Sequence, residues 1–468
     1  MGNEDFKLPP GWHCRSLVDC TKGGNISYGI VQPGQHQDDG IGIIRVNNIQ
    51  NGEISVVDVL KVSHDIESKF SKTRLEGGEV LLTLVGSTGL SAITTKDLHG
   101  WNVARAIAVI KPSDEISAEW IHICLQSPYT KYFLDSRANT TVQKTLNLKD
   151  VKEIPLPIPP IEERMNLEKI YFDLENKINL NLGINQTLEQ MSQTLFKSWF
   201  VDFDPVIDNA LDAGNPIPET LQSRAELRQK VRNSVDFKPL PADICALFPS
   251  EFEETELGWV PKGWITTSFN DLIELIGGGT PKTSVEEYWN GDIPWFSVVD
   301  APNESDVYVL TTEKNITTEG LNNSSAKLLR KGTTIISARG TVGKCAMVAV
   351  PMAMNQSCYG VIGKNNISDE YIYFQLKNAV QALQQMGHGS VFNTITRDTF
   401  KNIKIPFCNE ELTNSYSLLV KNYFSKILNN NYQNIALTNL RDTLLPKLIS
   451  GELSLEDLPN LVAQTEPA

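Results

Sequence analysis

Two segments of the chain share one spacing of apolar and asparagine residues. Residues 174–199 read LENKINLNLGINQTLEQMSQTLFKSW, and residues 423–448 read YFSKILNNNYQNIALTNLRDTLLPKL. In both segments, residues at alternating steps of four and three form a heptad seam, which predicts a long helix that packs against another helix. The seam residues are Leu174, Ile178, Asn181, Asn185, Leu188, Ser192, Leu195 and Trp199, and Tyr423, Ile427, Asn430, Asn434, Leu437, Arg441, Leu444 and Leu448.

Two asparagines occupy the same seam positions in both segments. Asn181 and Asn185 correspond to Asn430 and Asn434. A buried asparagine costs stability unless it finds a partner, so a matched pair can fix helix register and the choice of partner. We predict this role for the four residues. The alternative is a plain amphipathic helix that packs on its own domain.

The duplication extends beyond the helices, with a period near 250 residues. GEVLLT at 78–83 corresponds to GTTIIS at 332–337, and glycine loops follow both, GSTG at 86–89 and GTVG at 340–343. An internal repeat of this kind predicts a fold built twice. We expect six segments, which are a globular unit at 1–158, a long helix at 159–200, an acidic connector at 201–258, a second globular unit at 259–406, a second long helix at 407–452 and a tail at 453–468.

The expected fold class is mixed α/β (α+β), with a curved β-sheet in each of two tandem units. Short apolar runs predict strands, and each unit has one helix-like stretch. The predicted strands are 41–46, 80–85, 104–110, 334–337 and 345–350, and the predicted helices are 119–134 and 369–386.

Composition limits the class of protein. The 468 residues suggest about three domains at ~150 residues each. The chain has no run of ~18 apolar residues and no apolar stretch at its start, so we expect neither a membrane span nor a secretory signal. Its seven cysteines form no Cys-x-x-Cys pair, which favours a reducing cytoplasm. The net charge of −14, taken whole, argues against a non-specific nucleic-acid binder.

Known catalytic patterns are missing from the sequence. The nearest string to a phosphate-binding loop, GTVGKC at 340–345, has too few residues between its glycines. An amino-methyltransferase would carry an Asp/Asn-Pro-Pro-aromatic loop, and none is present. The six histidines show no metal-ligand spacing. We therefore expect no catalytic residue, no metal and no cofactor in this chain, and a role in recognition.

The turn-rich segments concentrate the residue types that contact DNA. Arg and Lys suit guanine and phosphate, Asn and Gln suit adenine, and hydroxyls adapt to either. Each loop alone is also ordinary turn chemistry, but the loops recur in both halves. The predicted DNA-binding residues are Lys22, Asn25, Arg45, Asn47, Arg137, Thr141, Gln143 and Lys144 in the first unit, and Thr280, Lys282, Arg339, Thr341, Lys344, His388 and Asn393 in the second.

The second unit carries the strings by which the chain resembles a known family. They are GTPK at 279–282, YWNGDIPW at 288–295, ITTEGL at 316–321, SARGTVGK at 337–344 and NQ at 355–356. With the duplication and both long helices, the chain resembles the specificity subunit of type I restriction–modification enzymes. The first unit lacks the YWNGDIPW string, and its GSTG loop has no Arg or Lys. Residue roles therefore do not transfer into the first unit.

The resemblance implies a division of labour with other subunits. Each globular unit would be a target-recognition domain that reads half of a split, asymmetric DNA site. The long helices would pack antiparallel as a spacer and dock two methyltransferase subunits, and endonuclease subunits would complete the complex. The chain would have no activity of its own, and S-adenosylmethionine, ATP and Mg would belong to the partners. Two alternatives are a protein-only scaffold and a divergent fused methyltransferase–nuclease.

The acidic charge is unevenly distributed. Residues 201–258 contain five basic and twelve acidic residues, which is half of the net deficit. Residues 1–160 contain 16 basic and 18 acidic residues, and residues 259–408 contain 13 of each. Nearly neutral recognition units predict modest attraction to phosphates from this chain alone.

Overall fold

The computed structural model describes residues 8–50, 52–137, 145–302, 306–386, 394–450 and 453. The chain divides into two compact units. Unit 1 comprises Met1–Ile178 and Ile435–Ala468, and unit 2 comprises Asn179–Asn434. Both boundaries lie inside long helices, so each unit contains part of both helices.

Unit 1 is built around an antiparallel four-stranded sheet and a smaller three-stranded one. Its described strands are β1 (His13–Ser16), β2 (Thr21–Tyr28), β3 (Ile41–Ile44), β4 (Ile49–Gln50), β5 (Glu53–Ile54), β6 (Leu60–Val62), β7 (Val80–Thr83), β8 (Ser91–Ile93), β9 (Asn102–Val103), β10 (Ile107–Pro112) and β11 (Pro155–Ile158). The larger sheet has the order β2-β10-β7-β8, and the smaller one has the order β6-β3-β9, with β9 parallel to β3.

The apolar runs that predict strands lie where both faces of the larger sheet are covered. In β7, Val80 and Leu82 pack into one apolar cluster and Leu81 into another on the opposite face. In β10, Ile107 and Val109 face the second cluster, whereas the alternate residues face the first. Burial on both faces gives a continuous apolar run in place of alternation.

The described helices of unit 1 are short apart from the first long helix. They are α1 (His64–Glu67), α2 (Ala118–Gln126), α3 (Pro128–Arg137) and α4 (Leu148–Lys152), followed by α5 (Ile161–Phe200), which continues into unit 2. The single helix predicted at 119–134 is wrong. The helix is interrupted at Ser127, whose backbone is extended because a residue before proline is disfavoured in the α-helical region.

Unit 2 repeats this architecture after a helical connector. Its described helices are α6 (Asp204–Ala213), α7 (Gln222–Arg232), α8 (Ala242–Cys245), α9 (Phe269–Leu272), α10 (Thr318–Asn322), α11 (Asp369–Met386), α12 (Arg397–Asn402) and α13 (Glu410–Ser450). Its described strands are β12 (Phe252–Thr255), β13 (Gly258–Pro261), β14 (Ile265–Ser268), β15 (Ile273–Gly277), β16 (Trp289–Phe296), β17 (Tyr308–Val309), β18 (Asn315–Ile316), β19 (Thr334–Ser337), β20 (Cys345–Val348), β21 (Ala353–Met354), β22 (Cys358–Gly363) and β23 (Lys404–Phe407).

The strand orders confirm that the fold is built twice. The order β15-β22-β19-β20-β17 in unit 2 matches β2-β10-β7-β8 in unit 1, with one strand added at the edge. The order β18-β16-β21 matches β6-β3-β9, and each small sheet contains one parallel pair. The predicted mixed α/β class with two tandem units is therefore confirmed.

The two long helices pair antiparallel within each unit. In unit 2, the Tyr416 hydroxyl on α13 donates to the Ser192 carbonyl on α5 at 2.9 Å, and Asn181 pairs with Asn434. In unit 1, Arg441 on α13 forms an ion pair with Glu175 on α5. The residue numbers rise on one helix as they fall on the other, as an antiparallel pair requires.

Two helices of the acidic connector, α6 and α7, are joined by a ladder of ion pairs. Asp204, Asp208 and Asp212 recur at four-residue steps on α6, so they share one helix face. They pair in turn with arginines on α7, which are Arg224, Arg228 and Arg232. The three arginines are already counted among the five basic residues of the connector, so its surplus of acidic residues lies outside the ladder.

No helix within the described residues is both long enough and apolar enough to cross a membrane.

Candidate nucleic-acid interface

Five chain segments meet at one end of the larger sheet of unit 2, where strands β15 and β19 end and strand β22 begins. Backbone hydrogen bonds join them, with Gly279 N–H donating to Met354 O (2.9 Å) and Ala338 N–H to Ser357 O (2.8 Å). Asn355 N–H donates to Phe296 O, and Ile395 N–H to Ala338 O, both at 2.9 Å. We call this the loop junction of unit 2, which comprises residues 279–280, 296–297, 338–339, 355–357 and 394–395.

Unit 1 contains the same junction, held by equivalent bonds. Ile30 N–H donates to Val103 O (2.8 Å), Ala104 N–H to Ile44 O (2.9 Å), and Leu146 N–H to Leu84 O (2.8 Å). Leu84 N–H completes the set by donating to Ala106 O at 2.7 Å. The loop junction of unit 1 therefore comprises residues 30–31, 44–45, 84–85, 104–106 and 145–146.

A glycine precedes the first segment of each junction because the backbones approach closely there. A Cβ on Gly29 would lie 1.9 Å from the Val103 carbonyl oxygen, and a Cβ on Gly278 would lie 1.9 Å from the Asn355 carbonyl oxygen. Neither site has room for a side chain. The two glycines mark equivalent positions in the two units.

The backbones of the junctions match, whereas their side chains differ. The equivalent pairs, with unit 1 first, are Val31 and Thr280, Arg45 and Ser297, Val85 and Arg339, and Arg105 and Gln356. Arg105, Ser297 and Gln356 also lie in the junctions, although no sequence pattern made them candidates. Gln356 stood next to Asn355 in a family string, but no signal in the sequence aligned Arg105 with it.

A hydroxyl closes the glycine loop beside each junction. Ser337 Oγ donates to the Thr341 carbonyl and accepts from Lys344 N–H at 2.9 Å. In unit 1, Thr83 Oγ1 donates to the Ser87 carbonyl and accepts from Leu90 N–H at 2.9 Å. The same loop therefore presents Arg339 and Lys344 in unit 2, where unit 1 has Val85 and Leu90.

The described candidates of unit 2 lie at or near its junction. Thr280 donates to the Gln356 side-chain oxygen, and Arg339 is exposed next to Ala338. Thr341 and Lys344 are exposed on the glycine loop. Lys282 is also exposed, and its carbonyl accepts from the Trp289 indole at 3.3 Å.

The candidates of unit 1 are more scattered. Lys22 and Asn25 are exposed on β2, where we expected a turn. The segment is an irregular strand in which Gly23 and Gly24 adopt positive φ. Arg45 lies in the junction and donates to the Asp58 carbonyl at 2.8 Å, with the exposed Asn47 two residues on.

Arg137 is engaged within unit 1. Its guanidinium lies 2.7 Å from Glu153 and stacks over the Phe133 ring. Five further predicted residues lie outside the described residues, and they are Thr141, Gln143, Lys144, His388 and Asn393.

An open cleft of about 620 Å³ adjoins the glycine loop of unit 2. It lies between α5, α11 and residues 341–345. Lys377 and the buried Glu189 pair across it at 2.7 Å, and Lys344 contributes to its wall. The remaining polar lining is mainly glutamine, from Gln186, Gln190, Gln193, Gln381 and Gln384.

The four seam asparagines are brought together inside unit 2. Asn181 Nδ2 donates to Asn434 Oδ1 at 2.9 Å, and Asn430 Nδ2 donates to Asn185 Oδ1 at 2.8 Å. Asn185 also donates to Asn431 at 2.6 Å. Asn431 was not predicted, because it lies one residue beyond the heptad position.

The titratable groups offer no reactive centre among the described residues. Burial raises the pKa of the Cys345 and Cys358 thiols to about 12, so neither is a thiolate near neutral pH. No group of three or more His, Cys, Asp or Glu in the described ranges is arranged to hold a metal. Glu67 is a buried carboxylate of unit 1, and it is engaged in an ion pair with Arg74 at 2.6 Å.

Comparison with known families identifies the class of protein. The family described as the type I restriction modification DNA specificity domain matches residues 33–190 and 261–439, once for each copy of the repeat. The chain belongs to this family. It is accordingly a DNA sequence-recognition subunit, and such subunits are not themselves catalytic.

Two relatives agree with this assignment in sequence. The chain is 30% identical to the specificity subunit of type I restriction enzyme HindI from Haemophilus influenzae, over 82% of this chain and 88% of that protein. It is 32% identical to the MjaIX specificity subunit from Methanocaldococcus jannaschii, over 39% of this chain and 42% of that protein. A solved S subunit from M. genitalium is 13% identical with a TM-score of 0.49, covering 95% of this chain and 98% of that one.

Proposed function

We propose that the chain reads a split, asymmetric DNA site, with one half-site read by the loop junction of each unit. The observation that carries this proposal is one backbone junction built twice with different side chains. Equal backbones would approach DNA in the same way, whereas unequal side chains would select different bases. The predicted split into six segments, with recognition units at 1–158 and 259–406, belongs to this proposal.

The candidates within the described residues divide by chemistry. Lys22, Lys282 and Lys344 suit phosphates or guanine, and Asn25 and Asn47 suit adenine. Arg45 and Arg339 lie at the junctions, where a planar guanidinium could reach a base edge. Thr280 and Thr341 add hydroxyls. Arg137 is a weaker candidate, since binding DNA would require it to exchange the Glu153 carboxylate for a phosphate.

The long helices form the second part of the proposal. We propose that they hold the recognition units apart and dock two methyltransferase subunits, to which endonuclease subunits add. Asn181, Asn185, Asn430 and Asn434 would fix the helix register. S-adenosylmethionine, ATP and Mg would be bound by the partners, and the assembly would act in the cytoplasm.

Mapping methylated adenines tests this proposal. The chain is expressed with its methyltransferase in a host that lacks other adenine methylation, and the methylated motif is sequenced. A split motif with two different halves is the expected result. A continuous or palindromic motif would contradict it.

Binding assays separate the alternatives. A gel shift with the assembled complex should show sequence-specific binding, whereas a protein-only scaffold would assemble without shifting DNA. Methylation by the purified chain alone would indicate the fused enzyme.

A further inference from the structure

Arg105 and Gln356 occupy one position in the duplicated fold. Arg105 is the second residue after the short parallel strand β9, and Gln356 is the second residue after its counterpart β21. The residue before each donates its backbone N–H to the last residue of a neighbouring strand, which is β3 in unit 1 and β16 in unit 2. The carbonyl of the residue after each accepts from Leu84 or Ala338. The backbone therefore directs both side chains from the same place.

Both side chains are exposed, although their flanking residues are partly or fully buried. Around Arg105, Ala104 and Ala106 are half-buried and Ile107 is fully buried, and Asn355, Ser357 and Cys358 repeat that pattern around Gln356. Each side chain thus projects from a fixed backbone, which limits the conformational entropy lost on binding a ligand.

The contacts of the two side chains leave their recognition groups available. Within the described residues, no hydrogen bond or ion pair engages the Arg105 guanidinium. Gln356 accepts a hydrogen bond from Thr280 Oγ1 on its side-chain oxygen, which orients the carboxamide and leaves both Nε2 protons free. A structural role would require the opposite, with both groups satisfied inside the fold.

We propose that Arg105 and Gln356 are equivalent specificity-determining residues, each of which reads one base of the half-site recognised by its unit. The guanidinium presents two donors that match O6 and N7 of guanine. The carboxamide presents a donor and an acceptor that match N7 and N6 of adenine. This inference rests on the proposed function, and it adds the two positions and the base that each selects.

Thr280 is a positioning residue within this arrangement. Its hydroxyl donates to the Gln356 side-chain oxygen, and this hydrogen bond holds the carboxamide in place, so that its remaining donors and acceptor point in a fixed direction. The unit 1 position equivalent to Thr280 is Val31, which cannot donate. Arginine needs no such partner, because all five N–H groups of the guanidinium are donors and it has no acceptor.

Exchange of the two residues tests the inference. Arg105→Gln and Gln356→Arg are each expressed with the methyltransferase, and the methylated motif is mapped by sequencing. Arg105→Gln should remove the preference for guanine at one position of one half-site, and Arg105→Gln combined with Val31→Thr, which supplies the hydroxyl that Thr280 provides in unit 2, should prefer adenine there. Gln356→Arg should make the reverse change at one position of the other half-site. The preference for the original base should fall by about one order of magnitude or more.

Matched controls separate base reading from other effects. Lys72→Gln removes an exposed cation of unit 1 outside the junction, and Gln229→Arg adds one on the connector. Both should leave the motif unchanged. The untouched half-site in each junction variant reports on folding, since a misfolded chain would lose methylation at both.

Three results would overturn the inference. An unchanged motif with normal methylation would show that neither side chain reads a base. A uniform loss across all sites after Arg105→Gln would indicate a phosphate contact. Changes in the same half-site for both variants would refute the equivalence. The proposed function has a separate test, and it would be contradicted if the complex with the unmodified chain methylated no split motif.

The positioning role of Thr280 has its own readout. Thr280→Val should relax base preference at the position that Gln356→Arg alters, and Thr280→Ser should restore it. A merely structural Thr280 would lower methylation of every sequence alike, without moving the preference at that one position.

Discussion

At the scale of single residues, the glycine loop of unit 2 carries two cations that unit 1 lacks. Arg339 and Lys344 are exposed on a loop closed by Ser337, whereas Val85 and Leu90 stand at the same positions of unit 1. We expect Arg339→Ala or Lys344→Ala to weaken binding through the second half-site only. The affinity loss should be about five- to tenfold at low salt, since each variant removes about one charge-assisted contact.

Binding is measured with the assembled complex on DNA mutated in either half-site. A variant that has lost one contact to the second half-site should be less sensitive to mutation of that half and keep its full sensitivity to mutation of the first. Equal dependence on both halves would contradict the assignment. Lys72→Ala in unit 1, which lies outside the junction, is the matched control.

His122 in unit 1 predicts a dependence of stability on pH. Burial lowers its pKa from 6.5 to about 4, with the Arg441 charge as a smaller contribution. Nδ1 lies 3.0 Å from Ser91 Oγ in a buried pair. The unfolded chain protonates this histidine below pH 6.5 and the folded chain does not, so its contribution is present above that value and is lost as pH falls towards 4.

Urea unfolding at pH 7 and pH 5 measures this effect. The free energy of unfolding should fall by about 2 kcal/mol more in the unmodified chain than in His122→Gln. His99→Gln, which changes an exposed histidine, should retain the full pH dependence. Equal pH dependence in all three proteins would show that His122 does not control it.

At the scale of elements, the asparagine cluster between α5 and α13 is a polar group inside an apolar seam. Asn185 bonds to both Asn430 and Asn431 in unit 2. Asn185→Leu would remove a hydrogen-bond partner from both of these amides, and an unsatisfied buried polar group costs about 1–3 kcal/mol. We therefore expect the free energy of unfolding of this variant to fall by about 1–3 kcal/mol.

A triple variant distinguishes pairing from packing. Replacement of Asn185, Asn430 and Asn431 by leucine together should restore part of the stability, because none of these amides is left orphaned and only the Asp306 carboxyl group, which Asn431 Nδ2 contacts at 3.3 Å, loses a partner. Chemical denaturation measures both proteins. A triple variant less stable than Asn185→Leu would show that helix packing, and not hydrogen bonding, sets the cost.

The connector ladder offers rungs of different exposure for comparison. The side chains of Arg228 and Asp208 are 16% and 19% exposed, whereas Asp212, the partner of Arg232, is 67% exposed. Solvent screens the outer pair, so Arg232→Ala should cost less than about 1 kcal/mol. Arg228→Ala should cost about 2 kcal/mol or more, because it leaves Asp208 unpaired in a largely buried setting. Thermal unfolding ranks the two variants, and equal costs would contradict the role of burial.

The elements also show what the sequence could predict. The heptad seams locate α5 and α13 because a 3.5-residue repeat sustained over many turns is typical of paired long helices. The buried strands β7 and β19 follow from runs of apolar residues. The short parallel strand β9 was missed, because two residues carry no periodicity and pair only through the fold.

The candidate sites were predicted less completely than the fold. Loop residues such as Arg339 were found because glycine and cations coincide in one string. Arg105 was not found, because the sequence WNVARAI resembles a strand more than a loop, and its correspondence with Gln356 appears only when backbone bonds are compared. Tertiary hydrogen bonds define the junction, and such bonds leave no local pattern.

At the scale of the whole molecule, the length of the two helices predicts the spacing of the two half-sites. Helices α5 and α13 contain 40 and 41 residues. Insertion of four residues lengthens a helix by about 6 Å, which corresponds to about 2 bp of DNA at 3.4 Å per step. Paired insertions after Gly183 and after Tyr432 should therefore lengthen the unread spacer of the methylated motif by about 2 bp.

These insertion points preserve the polar contacts on either side. Asn181 and Asn434 would remain partners on one side of the insertions, and Asn185 and Asn430 on the other. An insertion in one helix alone would separate these partners, so it should abolish methylation. Four residues inserted in the exposed connector turn after Asp236 should leave the spacer unchanged. An unaltered spacer in the paired variant, with both half-sites still recognised, would show that helix length does not set the distance between them.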